Sequence, residues 1–308
     1  MCCTPLSIRG CALSSTASPV DPVSNWFHAT VRLTGPVLRR LMHNRSFVLG
    51  VSLVLFVALV AIFADVLAPY DPLRSNFRAR FVAPNAEHWF GTDHFGRDLL
   101  SRVIYGGRVS LTIGFFVVLV TGIVGTAIGA IAGYFRRLDN PLMRLMDALM
   151  AFPAILLAIV ISAVLGASIV NVVIALSIAT SPHTARIVRG SVLVVREMEY
   201  VEAGRALGAS ELRLLFGHVL INALAPLIVR LTYVFAIAIL AEAVLSYIGV
   251  GPPPPTPTFG NIIAGERDFM ETAPWTMIFP GLAIVISVLG LNLLGDGLRD
   301  VLDPRMKL

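Results

Sequence analysis

The residues whose types carry the clearest chemical meaning are the few ionisable ones that interrupt long apolar runs: Asp65, Arg230 and Glu242. A charge at the centre of a bilayer costs about 2.5–3.5 kcal/mol on insertion scales. Each should therefore face a protein interior, a partner or a water-filled path. Asp65 stands near the end of its run, where water can reach it, and Arg230 has a stem long enough to carry its guanidinium toward water. Glu242, in ILAEAVLSYIG, could line a passage or, more simply, pair with an arginine of a neighbouring helix. Other chemistry is thin. The six histidines form no HExxH and no i,i+4 pair. The three cysteines, Cys2, Cys3 and Cys11, all precede residue 12 and make no CxxC or Cys/His ligand spacing. No triad or carboxylate pair is visible, so no catalytic residue and no metal site is expected. A phosphate-cradling Gly-x-x-x-x-Gly-Lys-Ser/Thr loop needs a lysine, and the only lysine, Lys307, is followed by Leu308.

One polar island stands between apolar tracts: YVEAGRALGASELRLLFGHVL, Tyr200 to Leu220. Good helix formers predict a short helix over Glu199 to Leu207, which Gly208 can end by taking a positive φ. Ser210 can cap a second helix, with Glu211 in the first turn where the helix dipole favours an anion. The small residues Ala203, Gly204, Ala206, Gly208 and Ala209 leave little bulk at the corner. Such a corner can sit deep in a groove of another protein, or it can be an amphipathic loop lying on lipid headgroups.

The elements that hold these residues must be helices in lipid. The chain is 56% hydrophobic and only 14% charged, with a mean hydropathy of +0.80. A soluble domain is about 45–50% apolar and about 25% charged. In hydrocarbon every backbone polar group needs an internal partner, so long uncharged runs must be helical. The fold class is all-α, a polytopic membrane protein with six transmembrane helices and an N-terminal interfacial helix. A span takes about 17–25 residues. Six are expected: Phe47–Leu67, Leu111–Tyr134, Leu149–Leu165, Ile169–Ile187, Leu224–Ile248 and Trp275–Leu294. Gly166 to Ser168 joins the third and fourth in a tight hairpin. Gly125, Gly129 and Gly133, each four apart, would let the second span approach another helix closely.

Residues 1–25 have no basic stretch followed by an apolar core, so no cleaved signal peptide is expected; they look like a flexible tail on the cytoplasmic side. Residues 26–46 place Phe27, Val31, Leu38 and Leu41 near one helical face and Arg32, Arg39 and Arg40 off it, an amphipathic interfacial helix bent near Pro36. The transmembrane domain is then 47–308, with an inner loop over 190–222 and outer loops over 69–109 and 249–274. Net charge is +5. The arginines lie between the apolar runs and orient the chain rather than bind nucleic acid. Their excess on one side places both termini in the cytoplasm, although Arg74, Arg78, Arg80, Arg97, Arg102 and Arg108 in the first outer loop run against the rule. The second outer loop, stiffened by Pro252 to Pro255, is long enough to meet a docked protein.

Glu202 to Ser210, EAGRALGAS, resembles the EAA loop of ABC-importer permeases. Gly204 takes the place of the third-position alanine, and Gly208 follows at the family spacing. His218 to Asn222 is similar to the family's His-Ile-Leu-Pro-Asn, with Ile221 where the family has proline, a departure expected to remove a bend. The stretches Phe90–Gly114, Pro254–Phe269 and Phe279–Arg305 resemble the C-type subunit of the dipeptide, oligopeptide and nickel permeases. The resemblance runs from about Trp26 to the C-terminus. It implies a type I ABC importer permease fold in a bacterial plasma membrane and a second homologous permease subunit. It also implies two ABC ATPase subunits and an extracytoplasmic substrate-binding protein. ATP and Mg would be bound by the partner subunits, and this chain would carry no cofactor and no enzyme activity. Glu202, Ala203, Gly204, Ala206, Gly208 and Ala209 would couple to the ATPases. Glu242 and Arg230 would belong to the translocation path, Glu242 holding the positive end of a peptide. A nickel or other small-solute permease, and an ion-gradient-driven secondary transporter, are the alternatives.

Overall fold

The computed structural model describes residues 41–302. The tail over 1–25, residues 26–40 of the expected interfacial helix and the residues after Leu302 lie outside them; within 26–46, residues 41–43 and 45–46 are helical. The described residues are helical with no strand, and one isolated bridge joins Thr92 and Asp98.

Helix α1 (Arg45–Ile62) starts where the Asn44 side chain accepts a hydrogen bond from Phe47 N at 3.2 Å. A short helix, Ala64–Leu67, completes the run expected to end at Leu67. Helix α2 (Leu99–Tyr134) has 36 residues, about 54 Å at 1.5 Å per residue. This corrects the outer loop expected over 69–109, which ends at Asp98. Arg102 and Arg108 read as loop charges in the sequence, but Asp98 caps the helix by accepting from Ser101 N at 2.8 Å.

A second correction concerns the span expected over Leu149–Leu165. Helices α3 (Arg136–Met150) and α4 (Ala154–Leu165) meet at a bend of 87°. Pro153 disfavours the helical conformation at Phe152 and lacks the N–H that would continue the ladder. The hairpin follows as expected, with Gly166 at φ +88°. Helix α5 (Ile169–Val195) runs unbroken through Pro182. Short helices α6 (Glu199–Ala206) and α7 (Glu211–Leu214) form the corner. Helices α8 (Leu224–Ile248), α9 (Phe259–Glu266) and α10 (Trp275–Leu302) complete the chain.

Among the described residues four helices, α1, α2, α8 and α10, are long and apolar enough to cross a membrane, or five if the bent α3–α4 pair is one span. Helix α5, though 27 residues long, falls outside that count because Thr180 to Arg189 is polar. The exposed apolar side chains, among them Phe56, Val160, Val164 and Val285, suit hydrocarbon rather than water.

The most extensive packing is α2 on α5. A Cβ placed on Gly125 would lie 2.9 Å from Thr184 Cβ, one on Gly129 2.4 Å from Ala185 O, and one on Gly133 2.8 Å from Val192 Cγ1. The glycine face read from the sequence is thus the face that lets these two helices touch. Helix α8 packs on α2 and on α10. The core between α2, α5 and α8 is apolar, built from Ile113, Val117, Val172, Leu176, Val234 and Leu245.

Candidate functional site

The corner forms as its sequence predicts. At the end of α6, Gly208 N donates to Arg205 O at 3.0 Å and Ala209 N to Gly204 O at 3.1 Å, with Gly208 at φ +80°. These two bonds, with a left-handed glycine between them, are the Schellman arrangement that satisfies the last carbonyls of a helix. Ser210 takes the N-cap position of α7, but its hydroxyl makes no cap bond. A Cβ on Gly204 would come 2.8 Å from Leu214 Cδ2, so the small residue lets the two short helices close on each other.

The corner has two faces. Val201, Leu215 and Val219 are buried with Val188, Val192, Val195 and Leu227, and Leu214 is buried too. The opposite face is apolar and open: Leu207 is 89% exposed, Leu212 62% and Phe216 61%. Of the six residues expected to couple, Glu202, Ala203, Ala206 and Gly208 are exposed, and Gly204 and Ala209 are half-buried. The chain continues through a π turn, Leu215–Val219, and a break at Ala223 before α8. The irregularity that the Ile221 departure was expected to remove is therefore present without a proline.

Polar contacts tie this corner to the far end of α2. Arg196 Nη1 donates to Gly133 O at 2.7 Å. The Tyr134 hydroxyl donates to Glu211 Oε2, and Arg205 Nε lies 3.4 Å from Glu211 Oε1. The Tyr134 hydroxyl first, and Arg205 after it, hold the Glu211 carboxyl below its ordinary range. Glu202 and Glu197 line the same open polar cavity of about 490 Å³. Nothing in the sequence pairs Tyr134 with Glu211, because 77 positions separate them.

Glu242 is fully buried in α8. Its oxygens accept from Ser110 Oγ at 2.7 Å and Ser246 Oγ at 2.6 Å. Its partners are thus serines, one of them on α2, where the sequence suggested an arginine. Arg230 lies 12 positions earlier on the same helix, about 18 Å away; it is half-buried, and its Nε has no hydrogen-bond partner. The two residues do not form one site. Asp65 is at the surface, accepting from Tyr105 Oη at 2.8 Å and paired with Arg108 Nη1 at 3.1 Å.

A denser polar group occupies the opposite end of α2. Asp93, fully buried, accepts from Phe95 N and Arg97 N at 2.8 Å and from Arg97 Nε at 2.6 Å, and Arg102 Nη1 lies 3.1 Å from it. The turn that does this needs glycine: Gly96 has φ +72°, and a Cβ there would fall 1.8 Å from Asn76 O. Asp98 takes Ser101 N, Ser101 Oγ and His88 Nδ1 at 2.7–2.8 Å. His94 Nδ1 meets Glu266 Oε1 at 2.5 Å. Burial pushes the Glu266 carboxyl above its ordinary range. Ligand-type atoms of Asp93, His94 and Glu266 lie within 4.8 Å of one another. Two guanidinium groups already compensate Asp93, so the group suits a cation poorly. The sequence did not expose this cluster, since His94 and Glu266 are 172 positions apart.

Residues 125–308 match the family described as binding-protein-dependent transport system inner membrane component, and residues 33–84 match the N-terminal transmembrane domain of oligopeptide transport permease C. A putative peptide transport system permease protein of Brucella abortus is 56% identical over 270 residues, 88% of this chain and 91% of that protein. The dipeptide transport system permease protein DppC of Alkalihalophilus pseudofirmus is 43% identical over 293 residues, 95% of this chain and 96% of its own. A glutathione transport system permease protein, GsiD of Pectobacterium atrosepticum, is 40% identical over 271 residues, 87% of this chain and 90% of its own. Among solved structures, an inward-facing MetNI methionine ABC transporter chain aligns with a TM-score of 0.55 and 21% identity. That alignment covers 66% of this chain and 96% of the other, a likeness of fold.

Proposed function

The chain belongs to the family of binding-protein-dependent transport system inner membrane components, and from that premise we propose what its corner and its helices do. It is a multi-pass permease subunit of an ABC importer, a transport component rather than an enzyme. In the proposed assembly it forms half of a path for di- or oligopeptides, and a second, related permease forms the other half. Two ATPase subunits on the cytoplasmic side bind ATP and Mg, and an extracytoplasmic binding protein delivers the solute. Both termini and the corner face the cytoplasm.

The observation that carries this reading is the corner itself. It exposes Leu207, Leu212 and Phe216 to whatever docks there, yet Arg196 and Glu211 fasten it to Gly133 and Tyr134 at the end of α2. Closure of the ATPases presses on the exposed face around Glu202, Ala203, Ala206 and Gly208. The fastenings carry that displacement into α2, whose glycine face lies against α5. Glu242, bonded to Ser110, holds α8 to α2 as they move. Arg230 is the residue of α8 that we propose meets an aqueous path.

The test is Gly208→Trp in the complex reconstituted in vesicles. A Cβ at this position meets nothing within 4 Å, but φ +80° strains any side chain there, so recovery of the intact complex is measured beside uptake. ATP hydrolysis should continue while peptide uptake is lost. Uptake by the unaltered complex should survive an ionophore and stop on ATP depletion. Normal uptake by the tryptophan variant, or uptake abolished by the ionophore with ATP intact, would overturn the reading.

A further inference from the structure

We infer that helix α3 lies in the membrane surface and binds anionic phospholipid, with Arg137 and Arg144 taking the headgroup phosphates. Such a site requires only that the chain sit in a bilayer, not that an ATPase dock at the corner. The 87° bend between Met150 and Ala154 turns α3 across α4. Exposed Leu156, Val160 and Val164 set α4 in hydrocarbon, so α3 runs close to the bilayer plane. It does so at the end of the bundle that carries the corner, for Arg136 at its start is 3.9 Å from Glu197, two residues before α6.

Three faces run along α3. The first packs on the bundle: Met143 and Met146 are buried with Ala132 and Ala185. Asp139 accepts from Arg189 Nε at 2.5 Å and Nη2 at 2.7 Å, and Asp147 accepts from Arg186 Nη2 at 2.5 Å. Both acids of the helix are thus spent on arginines of α5. The second face is apolar and open. Leu138 is 46% exposed, Leu145 56% and, in the bend, Phe152 62%. They follow one another at heptad spacing, and exposed Pro141 and Ala148 fill the turns between. The stripe continues through the bend into the exposed side chains of α4, so it joins the hydrocarbon-facing surface rather than standing apart as a patch. The third face carries Arg137 and Arg144, opposite Met146 at 3.6 residues per turn and along the edge of the apolar stripe. Both are exposed, and among the described residues neither side chain makes an ion pair or hydrogen bond. They stand about 10 Å apart along the helix, far enough for each guanidinium fork to hold its own phosphate. An apolar stripe edged by unpaired arginines is the arrangement that seats a helix on an acidic leaflet.

The full-length chain, freed of its native cysteines at 2, 3 and 11, carries Ala148→Cys labelled with bimane, a reporter on the apolar stripe. It is set in phosphatidylcholine nanodiscs, into which phosphatidylglycerol or phosphatidylcholine with a nitroxide on the upper acyl chain is titrated. The phosphatidylglycerol should quench at a mole fraction about fivefold lower, the worth of one cation at the surface. Arg137→Gln with Arg144→Gln should abolish that preference, and lysine at both positions should hold it within about twofold. Both positions are exposed, so the fold should tolerate each change. Equal quenching by the two lipids, or a preference that survives the double glutamine change, would overturn the inference. Quenching by aqueous iodide and by neither lipid would do the same, since it marks a face turned to water. The label is then read in the complex with its co-purified subunits. The preference should persist there; its loss on assembly would give the face to a partner protein and end the case for lipid.

Discussion

The two ends of α2 are built on opposite principles. At Leu99 the chain is held by hydrogen bonds: Asp98 takes three, Asp93 takes three more, and both carboxylates are buried. At Tyr134 the neighbouring corner is held by an apolar inner face and a few polar fastenings, while its outer face leaves Leu207 almost wholly open. Buried and saturated carboxylates are costly to rearrange, because a broken pair leaves a charge without solvent. An apolar face with few specific bonds is cheap to cover and uncover. The contrast teaches that one end of the long helix is locked in shape and the other is left open, as the proposed docking of an ATPase requires.

Substitutions at the two ends should therefore fail in different assays. The largest expected effect on stability is Asp93→Ala, which strands the buried Arg102 and the half-buried Arg97; loss of one partner of a buried pair costs about 3–5 kcal/mol, read as a fall in the unfolding midpoint in detergent. Leu207→Asp should change that midpoint by less than about 0.5 kcal/mol, as exposed positions do. The same variant should strip the ATPases from the complex on a sizing column. If Leu207→Asp unfolded the chain and Asp93→Ala left it intact, the contrast would be reversed. Tyr134→Phe is the smallest and most specific change. It removes one hydrogen bond, worth about 0.5–1.5 kcal/mol at most, and should lower uptake per ATP hydrolysed more than it lowers stability.

That last bond also has a pH signature. The folded state holds the Glu211 carboxyl below its ordinary range. A depressed acid contributes stability above its unfolded pKa, and the contribution fades as pH falls through the folded value. The difference between the parent chain and Tyr134→Phe should therefore be full at neutral pH and shrink below about pH 4.3, the ordinary glutamate value. A difference that grew on acidification would show that Glu211 is not ionised in the contact.

Much of the corner was legible because its determinants are local. Gly208 and the helix formers before it predict the turn, and the turn forms with Gly208 at φ +80°, though Ser210 sits at the N-cap position without making the expected cap bond. The spacing of Gly125, Gly129 and Gly133 likewise marked the face that packs on α5. Two misreadings have physical causes. The hydropathy of residues 149–165 hid the break that Pro153 imposes, since an apolar run scores alike whether straight or bent. Arg102 and Arg108 hid the first turns of α2, because a charge in a helix reads as a loop until its buried partner is known. The Asp93, His94 and Glu266 cluster was not legible at all: it joins one loop to the end of α9, 172 positions on, and their approach depends on the folded bundle.

The most direct measurement of the central claim is cross-linking from position 207. In the complex freed of its native cysteines at 2, 3 and 11, Leu207→Cys is reacted with a short bifunctional reagent with and without nucleotide. The account predicts a cross-link to an ATP-hydrolysing subunit whose yield changes with nucleotide. A cysteine at 207 that reacted instead with an impermeant reagent from outside the cell, or that found no nucleotide-binding neighbour, would contradict it.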